Sequence, residues 1–167
     1  MFLALWPPAA VREQLVELQR KLHWPDGAKP TAPGKLHLTL HFIGAVPRDR
    51  TGELRSGLAV AFTPFDLVLE SLASFQHGRS AVLLAREIPD GLLALHAVLA
   101  ARLAALGLPV EQRPYRPHVT LSYKARGLRL PPRVEPIRWR ARDGYALVRS
   151  LPGGAGYEDV ARFPAAG

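Results

Sequence analysis

His37-Leu38-Thr39-Leu40 and His118-Val119-Thr120-Leu121 repeat one pattern, His-x-Thr followed by an apolar residue. Each copy lies in a run that is typical of a β-strand. Side chains two positions apart point to the same face of a strand, so each copy holds an imidazole beside a hydroxyl. The apolar residues between them point to the other face and are expected in a core. A single copy is common in a half-buried strand. Random placement of six His and five Thr in 167 residues would rarely give two copies.

The segments that precede the two motifs also repeat. The first motif follows a strand-like opening at 2–6 and a run at 8–22 whose apolar residues have the spacing of one helix face. The second motif follows a strand at 80–86 and a helix at 90–106, which Gly107 ends. A strand–helix–strand unit therefore occurs twice, and each unit carries His-x-Thr on its second strand.

The rest of the chain predicts further strands and one more helix. We expect a helix over 49–62, a strand over 65–75, and strands near 136–149 and 157–163. Connections this short do not suit a fully parallel sheet, so the pattern indicates an α+β fold. The length fits one domain over 1–167, or two interlocked lobes, and no interdomain linker is found.

Composition limits the protein classes. The chain is 48% apolar, which is enough to build a core, and it has no cysteine, which excludes disulfides, thiolate nucleophiles and cysteine-based zinc sites. Neither a signal peptide nor an apolar segment of membrane-spanning length is found, so we expect a cytoplasmic protein without a membrane partner.

The chain is strongly basic. Its net charge is +8, and residues 113–142 contain nine Lys or Arg against one acidic residue, Glu135. Such a balance suits a polyanion such as RNA or DNA. Arg outnumbers Lys 18 to 4, a bias that a GC-rich genome also produces, so charge alone is weak support for this partner.

Three other kinds of site have little support. His37 and His41 would share a face with Thr39 in a regular strand, so a His-rich zinc site is conceivable, but no Glu or acidic cluster accompanies them. No nucleophile elbow supports a Ser–His–Asp arrangement. The glycines at 153–156 lack the Lys and the helix of a phosphate-binding loop.

The two motif histidines are the most informative candidate site that remains. Because the unperturbed pKa of His is near 6.5, one neutral imidazole can accept a proton while a second, protonated one donates. Such a pair can hydrolyse a strained substrate with an activated leaving group, such as a ribose 2′,3′-cyclic phosphate, without a metal. The Thr hydroxyls would donate to the non-bridging phosphate oxygens, where charge develops.

The chain resembles a known family. The segments Lys35–Gly44 and Arg113–Leu121 look like the signatures of the 2H phosphoesterases, and the similarity is greatest to RNA 2′,3′-cyclic phosphodiesterases, also called 2′-5′ RNA ligases. It extends to the opening residues 2–5 and to the end of the chain at 156–164. The string Arg-Pro-aromatic-x-Pro-His-x-Thr-Leu is the specific part of the resemblance.

The resemblance implies a fold and an activity. It implies two pseudo-symmetric antiparallel-sheet lobes with helices outside and a central cleft. It also implies hydrolysis of RNA 2′,3′-cyclic phosphate ends, tRNA fragments included, to a 2′-phosphate by a monomer without metal or cofactor. His37 would protonate the departing 3′ oxygen and His118 would activate water, while Thr39 and Thr120 would hold the phosphate; the symmetry allows the two histidines to exchange roles.

The flanking residues depart from the family in one place and extend the candidate site. Family members commonly carry Arg where this chain has Tyr123, so Lys124 or Arg126 is expected to supply the charge. Phe42 and Tyr115 could stack a terminal base, although strand alternation favours a core position for Phe42. His41 is expected on the motif face, in a supporting or an exposed position. His23, His77 and His96 are treated as surface or structural residues.

Two other functions stay open at this stage. One is an RNA-binding module without catalysis, and the other is a 2H phosphodiesterase acting on a small cyclic nucleotide or an ADP-ribose derivative. Intact His and Thr in both motifs disfavour the first alternative. Reverse 2′-5′ ligation would use the same residues as hydrolysis, so the sequence does not separate the two directions.

Overall fold

The structure, a computed structural model, describes residues 1–166 and contains nine β-strands and three α-helices. Three single 3₁₀ turns, Pro33–Lys35, Arg48–Arg50 and Pro152–Gly154, lie in the connections. The elements in chain order are β1 (Phe2–Leu5), α1 (Ala9–Lys21), β2 (Lys29–Pro30), β3 (Leu38–Phe42), α2 (Thr51–Gly57), β4 (Phe65–Phe75), β5 (Ser80–Ala85), α3 (Asp90–Ala105), β6 (His118–Tyr123), β7 (Ile137–Ala141), β8 (Tyr145–Ser150) and β9 (Tyr157–Phe163).

All paired strands are antiparallel, and they form one open sheet in the order β7-β4-β5-β6-β3-β1-β8-β9, with β2 paired to β6. The sheet divides at its centre into two halves of four strands, which we call lobe one (β3, β1, β8, β9) and lobe two (β6, β5, β4, β7). The repeated units predicted above occupy equivalent places, because β1 pairs with β3 as β5 pairs with β6. The predicted α+β fold is confirmed, with both lobes joined in a single sheet.

A β-bulge interrupts both motif strands at the same place. In lobe one, Thr39 and His41 pair with successive residues of β1, so Leu40 is the extra residue. In lobe two, Thr120 and Ser122 pair with successive residues of β5, so Leu121 is the extra residue. A bulge of this kind resets the alternation of side chains along the strand. Each motif is therefore followed by residues on the opposite face from the one that regular alternation predicts.

The helices cover one face of the sheet, the helix face, where the main core lies; we call the other face the open face. Helix α1 packs on strand β7 of lobe two, and helix α3 packs on both lobes, against β3 and β4. Gln19 of α1 donates to the Leu121 carbonyl of β6 (2.7 Å), and His41 of β3 donates to the His96 carbonyl of α3 (2.8 Å). Four leucines of α3 at helical spacing are buried in the core: Leu92, Leu95, Leu99 and Leu103. The two lobes are thus interlocked as well as paired.

Element bounds differ from expectation in three places. The helix expected over 49–62 has only seven residues: a 3₁₀ turn precedes it and it ends at Gly57, although Leu58 and Phe62 beyond its end are buried in the core. The strand expected near 136–149 is two strands joined at Gly144, whose φ of +94° and contact with the Phe163 carbonyl leave no room for a side chain. The first motif strand begins at Leu38, just after its histidine. Among residues 1–166, no helix is long and apolar enough to cross a membrane.

Candidate active site

The two motifs meet at the centre of the sheet. The motif strands β3 and β6 join through one antiparallel bridge, between Leu38 and Val119, and both side chains are fully buried on the helix face. Burying each contributes roughly 1.5–3 kcal/mol. Since alternate residues face the other way, the register places each imidazole across from the hydroxyl of the other motif. Four half-buried side chains therefore share the open face: His37, Thr39, His118 and Thr120.

Both imidazoles are held in the same orientation by the same local bond. Nδ1 of His37 lies 2.7 Å from the Lys35 carbonyl oxygen, and Nδ1 of His118 lies 2.7 Å from the Arg116 carbonyl oxygen. A carbonyl only accepts, so Nδ1 carries the hydrogen in each ring. Nε2 is then the nitrogen that changes its protonation state. Each histidine can accept a proton there when neutral and donate one when charged.

The surroundings lower the pKa of both rings and disfavour two positive charges together. Burial lowers the pKa of His37, and the charge of His118 lowers it further, while the bond to the Lys35 carbonyl opposes the shift. Burial also lowers the pKa of His118, opposed by its bond to the Arg116 carbonyl and assisted by the Arg116 charge. A positive His118 therefore disfavours a positive His37, so the state with one proton shared between the two rings is favoured over the doubly charged state. One neutral and one charged ring are what acid–base chemistry on one substrate requires.

Aromatic rings enclose His37. Its ring stacks on Phe2 at 4.9 Å between centroids, and the edges of Trp6 and Tyr157 approach it, each at 5.5 Å. The Lys35 ammonium lies 5.8 Å from the Tyr157 centroid and donates to a backbone carbonyl of the 3₁₀ turn that follows β8. The imidazole therefore has little freedom to rotate away from the open face.

His118 has a parallel but more open setting. The Phe75 ring meets the His118 ring edge-on at 4.8 Å, and the Arg116 guanidinium lies over Phe75 at 4.7 Å. In both motifs a cation two residues before the histidine thus covers an aromatic ring that touches the imidazole. The sequence interpretation missed Phe75 and Arg116 as site residues. The repeated position of Lys35 and Arg116 before each His-x-Thr is the signal that could have found the cations.

The backbone of each motif threonine is anchored by a hydroxyl from elsewhere in the chain. The Tyr115 hydroxyl donates to the Thr39 carbonyl (3.0 Å), and the Thr31 hydroxyl donates to the Thr120 carbonyl (2.8 Å). Burial raises the pKa of Tyr115, so its phenol keeps its hydrogen for this bond. Tyr115 therefore supports the site from the helix face, and the expectation that it stacks a substrate base is replaced by this positioning role.

The expectation that His41 lies on the motif face is wrong, because the bulge at Leu40 turns it to the helix face. His41 is 3% exposed and stacks on His96 at 4.0 Å, and His96 stacks on Tyr115 at 3.9 Å. His37 and His41 therefore lie on opposite sides of the sheet and cannot form the zinc site considered above. Among residues 1–166, no group of three or more His, Asp or Glu side chains could hold a metal ion.

The stacked histidine predicts how stability depends on pH. Burial, assisted by the His41 charge, lowers the pKa of His96 from 6.5 to about 4. The unfolded chain therefore binds more protons than the folded protein between these values. The contribution of His96 to stability is complete above pH 6.5, falls as the pH drops toward 4, and levels off below that. Because His96 is partly solvated, we expect its share of this loss to be about 2 kcal/mol.

His96→Phe keeps a stacking ring but does not titrate. In urea unfolding at pH 7.0 and 4.5, the variant should lose about 2 kcal/mol less stability between the two pH values than the wild type. His23→Phe, at an exposed position, is the matched control and should follow the wild type. An equal loss in wild type and His96→Phe would contradict a neutral buried His96.

The remaining candidate residues lie where the two motif strands end: Phe42 at the end of β3, and Tyr123, Lys124 and Arg126 at the end of β6 and in the turn after it. The core position favoured for Phe42 is wrong: the residue is 69% exposed and pairs with Phe2 on the open face. Tyr123 follows the second motif as Phe42 follows the first, and it is 47% exposed on the same face. Lys124 and Arg126 are exposed in the turn after β6, beside Tyr123.

Comparisons with known proteins all find relatives from one family. A family model described as the 2′-5′ RNA ligase superfamily matches residues 7–147. A Thermus thermophilus protein named RNA 2′,3′-cyclic phosphodiesterase is 34% identical over 98% of this chain and 88% of the relative, and an Escherichia coli protein of the same name is 32% identical over 72% and 69%. The crystal structure of Escherichia coli LigT complexed with 3′-AMP superposes with a TM-score of 0.85 at 27% identity, covering 98% of this chain and 96% of that one.

Proposed function

This chain belongs to the 2′-5′ RNA ligase superfamily of 2H phosphoesterases, and on that basis we propose that it hydrolyses the 2′,3′-cyclic phosphate at the end of an RNA to a 2′-phosphate. The observation that carries the proposal is the junction of β3 and β6, where two imidazoles with fixed Nδ1 bonds share the open face. One chain supplies both motifs, so we propose that a monomer is the acting unit.

The reaction is an in-line exchange of oxygens at phosphorus. Neutral His118 accepts a proton at Nε2 from a water molecule as the water oxygen bonds to phosphorus. The bond from phosphorus to O3′ breaks, and protonated His37 donates its Nε2 proton to that departing oxygen. The products are a free 3′ hydroxyl and a 2′-phosphate. Turnover leaves His118 charged and His37 neutral, and proton exchange with solvent restores the starting pair.

The charge around the rings supports this division of roles. Arg116 lies close enough to lower the pKa of His118, which favours the neutral form that a base needs. Burial is the main cause that lowers the pKa of His37, and the charge of His118 adds to it only while His118 is protonated. A neutral His118 therefore removes one of the two causes that oppose the proton on His37. A pseudo-symmetric site would otherwise give no reason to distinguish the two rings.

The threonines are proposed to hold the phosphate. Thr39 and Thr120 present hydroxyls beside the imidazoles, and their backbones are anchored from the helix face. Hydroxyl donors aimed at the non-bridging oxygens stabilise the charge that grows there in the transition state. Phe42 and Tyr123, exposed at equivalent positions of the two lobes, are proposed to stack RNA bases.

The proposal is tested by following an RNA oligonucleotide that ends in a 2′,3′-cyclic phosphate by phosphorus NMR. We expect the cyclic signal to be replaced by that of a 2′-phosphomonoester, at the same rate with and without excess EDTA, because imidazoles supply both proton transfers. A 3′-phosphate product, or a rate that EDTA abolishes and divalent metal restores, would contradict the mechanism. A substrate restricted to small cyclic nucleotides would contradict the RNA assignment.

The same groups would also catalyse ligation, with the 5′ hydroxyl of a second RNA in the place of water. His118 would accept the proton of that hydroxyl as its oxygen bonds to phosphorus, and His37 would donate to the departing O3′, which leaves a 2′-5′ phosphodiester and a free 3′ hydroxyl. Addition of an RNA with a 5′ hydroxyl in large excess is therefore expected to yield some 2′-5′ joined product. Hydrolysis dominates in dilute RNA because water is the more abundant nucleophile.

A further inference from the structure

A small surface pocket opens where the turn between β4 and β5 meets the end of β6. Three of its lining residues are cations, and none belongs to either His-x-Thr motif. We call it the basic pocket. It is lined by Gln76, Arg79, Ser80, Tyr123, Lys124 and Arg126.

The cations of the basic pocket have no acidic partner. Elsewhere on the sheet surface arginines pair with carboxylates, as Arg140 does with Asp66 at 2.7 Å. Within residues 1–166, no carboxylate lies within 4.0 Å of the charged groups of Arg79, Lys124 or Arg126. Three like charges around one concavity raise its potential, and an anion of matching charge would relieve their repulsion.

The backbone holds these cations in place through an unusual local conformation. Gln76, His77 and Lys124 have φ values of 52°, 57° and 54°, a left-handed region that residues other than glycine rarely adopt. The Ala125 amide donates to the Arg79 carbonyl at 3.3 Å, which ties the two turns together. Two successive positive φ values are what a tight β-hairpin turn requires, so the turn at Gln76 and His77 fixes the place of Arg79 just before β5.

The basic pocket continues directly from the candidate active site. Phe75 touches the His118 ring, and the next residue, Gln76, lines the pocket. Ser80 pairs with both Phe75 and Tyr123, so these residues form a row on the open face. From His118 to Lys124 the chain advances six residues, roughly 20 Å of extended strand. The Lys124 backbone therefore lies well along β6 from the His118 ring, beside the candidate active site and outside the His-x-Thr motif.

The two lobes differ in charge beside the site. In lobe one, Asp159 pairs with Arg162 at 2.6 Å and Glu158 pairs with Arg149 at 3.2 Å, and Lys35 is bonded to the Gly154 carbonyl. These charges are already matched or bonded, whereas Arg79, Lys124 and Arg126 of lobe two have no carboxylate partner among the described residues and offer more free positive charge to a phosphate backbone. An RNA that ends in a cyclic phosphate carries all its other phosphates on the 5′ side of that end. The strand upstream of the scissile end is therefore directed across lobe two.

We propose that the basic pocket binds a backbone phosphate of the RNA, upstream of the terminal cyclic phosphate, and so makes the enzyme prefer oligonucleotides to mononucleotides. This inference rests on the proposed function, because it assigns the pocket to the same substrate. Tyr123 would stack a base between the two phosphate sites.

The test compares a nucleoside 2′,3′-cyclic monophosphate with a hexanucleotide that ends in the same group. The pocket variant is Arg79→Gln/Lys124→Gln/Arg126→Gln. The control variant, Arg20→Gln/Lys21→Gln/Arg133→Gln, removes the same charge beside α1, on the helix face. We expect the ratio of kcat/KM for the hexanucleotide to that for the mononucleotide to fall about tenfold in the pocket variant. The control should keep the wild-type ratio.

Binding measured by fluorescence anisotropy of the labelled hexanucleotide completes the test. The slope of log Kd against log salt should decrease by about 0.7 in the pocket variant, the value for one neutralised phosphate of a single strand. An unchanged ratio or an unchanged slope would overturn the assignment of the pocket. If the wild type hydrolysed neither substrate, the proposed function would fail, and the salt dependence would still decide whether the pocket binds RNA.

Discussion

Replacing either motif histidine with asparagine is expected to slow hydrolysis of a cyclic-phosphate RNA by about 10²–10⁴-fold under saturating substrate. The Asn amide can still donate to the carbonyl that Nδ1 contacts in the wild type, so the strand should keep its shape. It cannot gain or lose a proton near neutral pH. The loss in His37→Asn and His118→Asn should therefore appear in kcat, with little change in the melting temperature.

The double variant tests whether the two histidines act as a unit. Groups that act as a unit are not additive, so His37→Asn/His118→Asn should be only slightly slower than either single variant. His23→Asn, at an exposed position, is the matched control and should retain wild-type kcat. If one single variant kept more than a tenth of the wild-type rate, the paired-imidazole mechanism would be contradicted.

Removing either motif hydroxyl is the change with the second-largest expected effect. Thr39→Val and Thr120→Val keep the β-branched shape that suits a strand but lose the donor to the phosphate oxygen. We expect kcat to fall about 10²–10³-fold in each, roughly 3–4 kcal/mol of transition-state stabilisation, with a smaller change in KM. Steady-state kinetics on the same RNA, at fixed salt, checks this.

The pseudo-symmetry of the site makes that second prediction quantitative. Since both hydroxyls lie at equivalent positions of equivalent strands, the two losses should agree within about tenfold. Thr39→Ser and Thr120→Ser, which restore a hydroxyl, should recover most of the rate. Thr63→Val, at an exposed loop position, serves as control. Two valine variants with wild-type kcat would show that the hydroxyls do not act on the transition state.

The sequence predicts most of the fold because its main signal is local. The His-x-Thr repeat and the strand–helix–strand units around it depend on periodicity within each segment, and the structure pairs β1 with β3 and β5 with β6 accordingly. Gly107 ends α3 with a positive φ, as expected from its position after the last apolar residue. Such features need no knowledge of distant contacts.

The errors arise where distant contacts decide the outcome. The bulge at Leu40 exchanges the faces of His41 and Phe42, and it depends on the partner strand β1 rather than on the motif itself. Tyr115 lies on the helix face because its ring stacks on His96, which is 19 residues earlier in the chain. Local alternation cannot foresee either event, because both result from packing between elements that are remote in sequence.

The residues missed around the site have the same explanation. Phe75 reaches His118 only because β4, β5 and β6 are neighbours in the sheet, and Arg79 reaches the turn after β6 for the same reason. Neither residue lies in a recognisable motif. The paired cations Lys35 and Arg116 are different, since their equal spacing from the two histidines was visible in the sequence.

The central claim is that both imidazoles contact one phosphate, and ¹⁵N NMR of the histidine rings tests it most directly. A nucleoside 2′-phosphate, the product of the proposed reaction, would be titrated into the ¹⁵N-labelled protein. The account predicts that the Nε2 resonances of His37 and His118 shift together with one Kd and a stoichiometry of one, while Nδ1 remains protonated in both rings. A shift of the Nε2 resonance of one histidine alone, or shifts of the two resonances with different Kd values, would contradict the account.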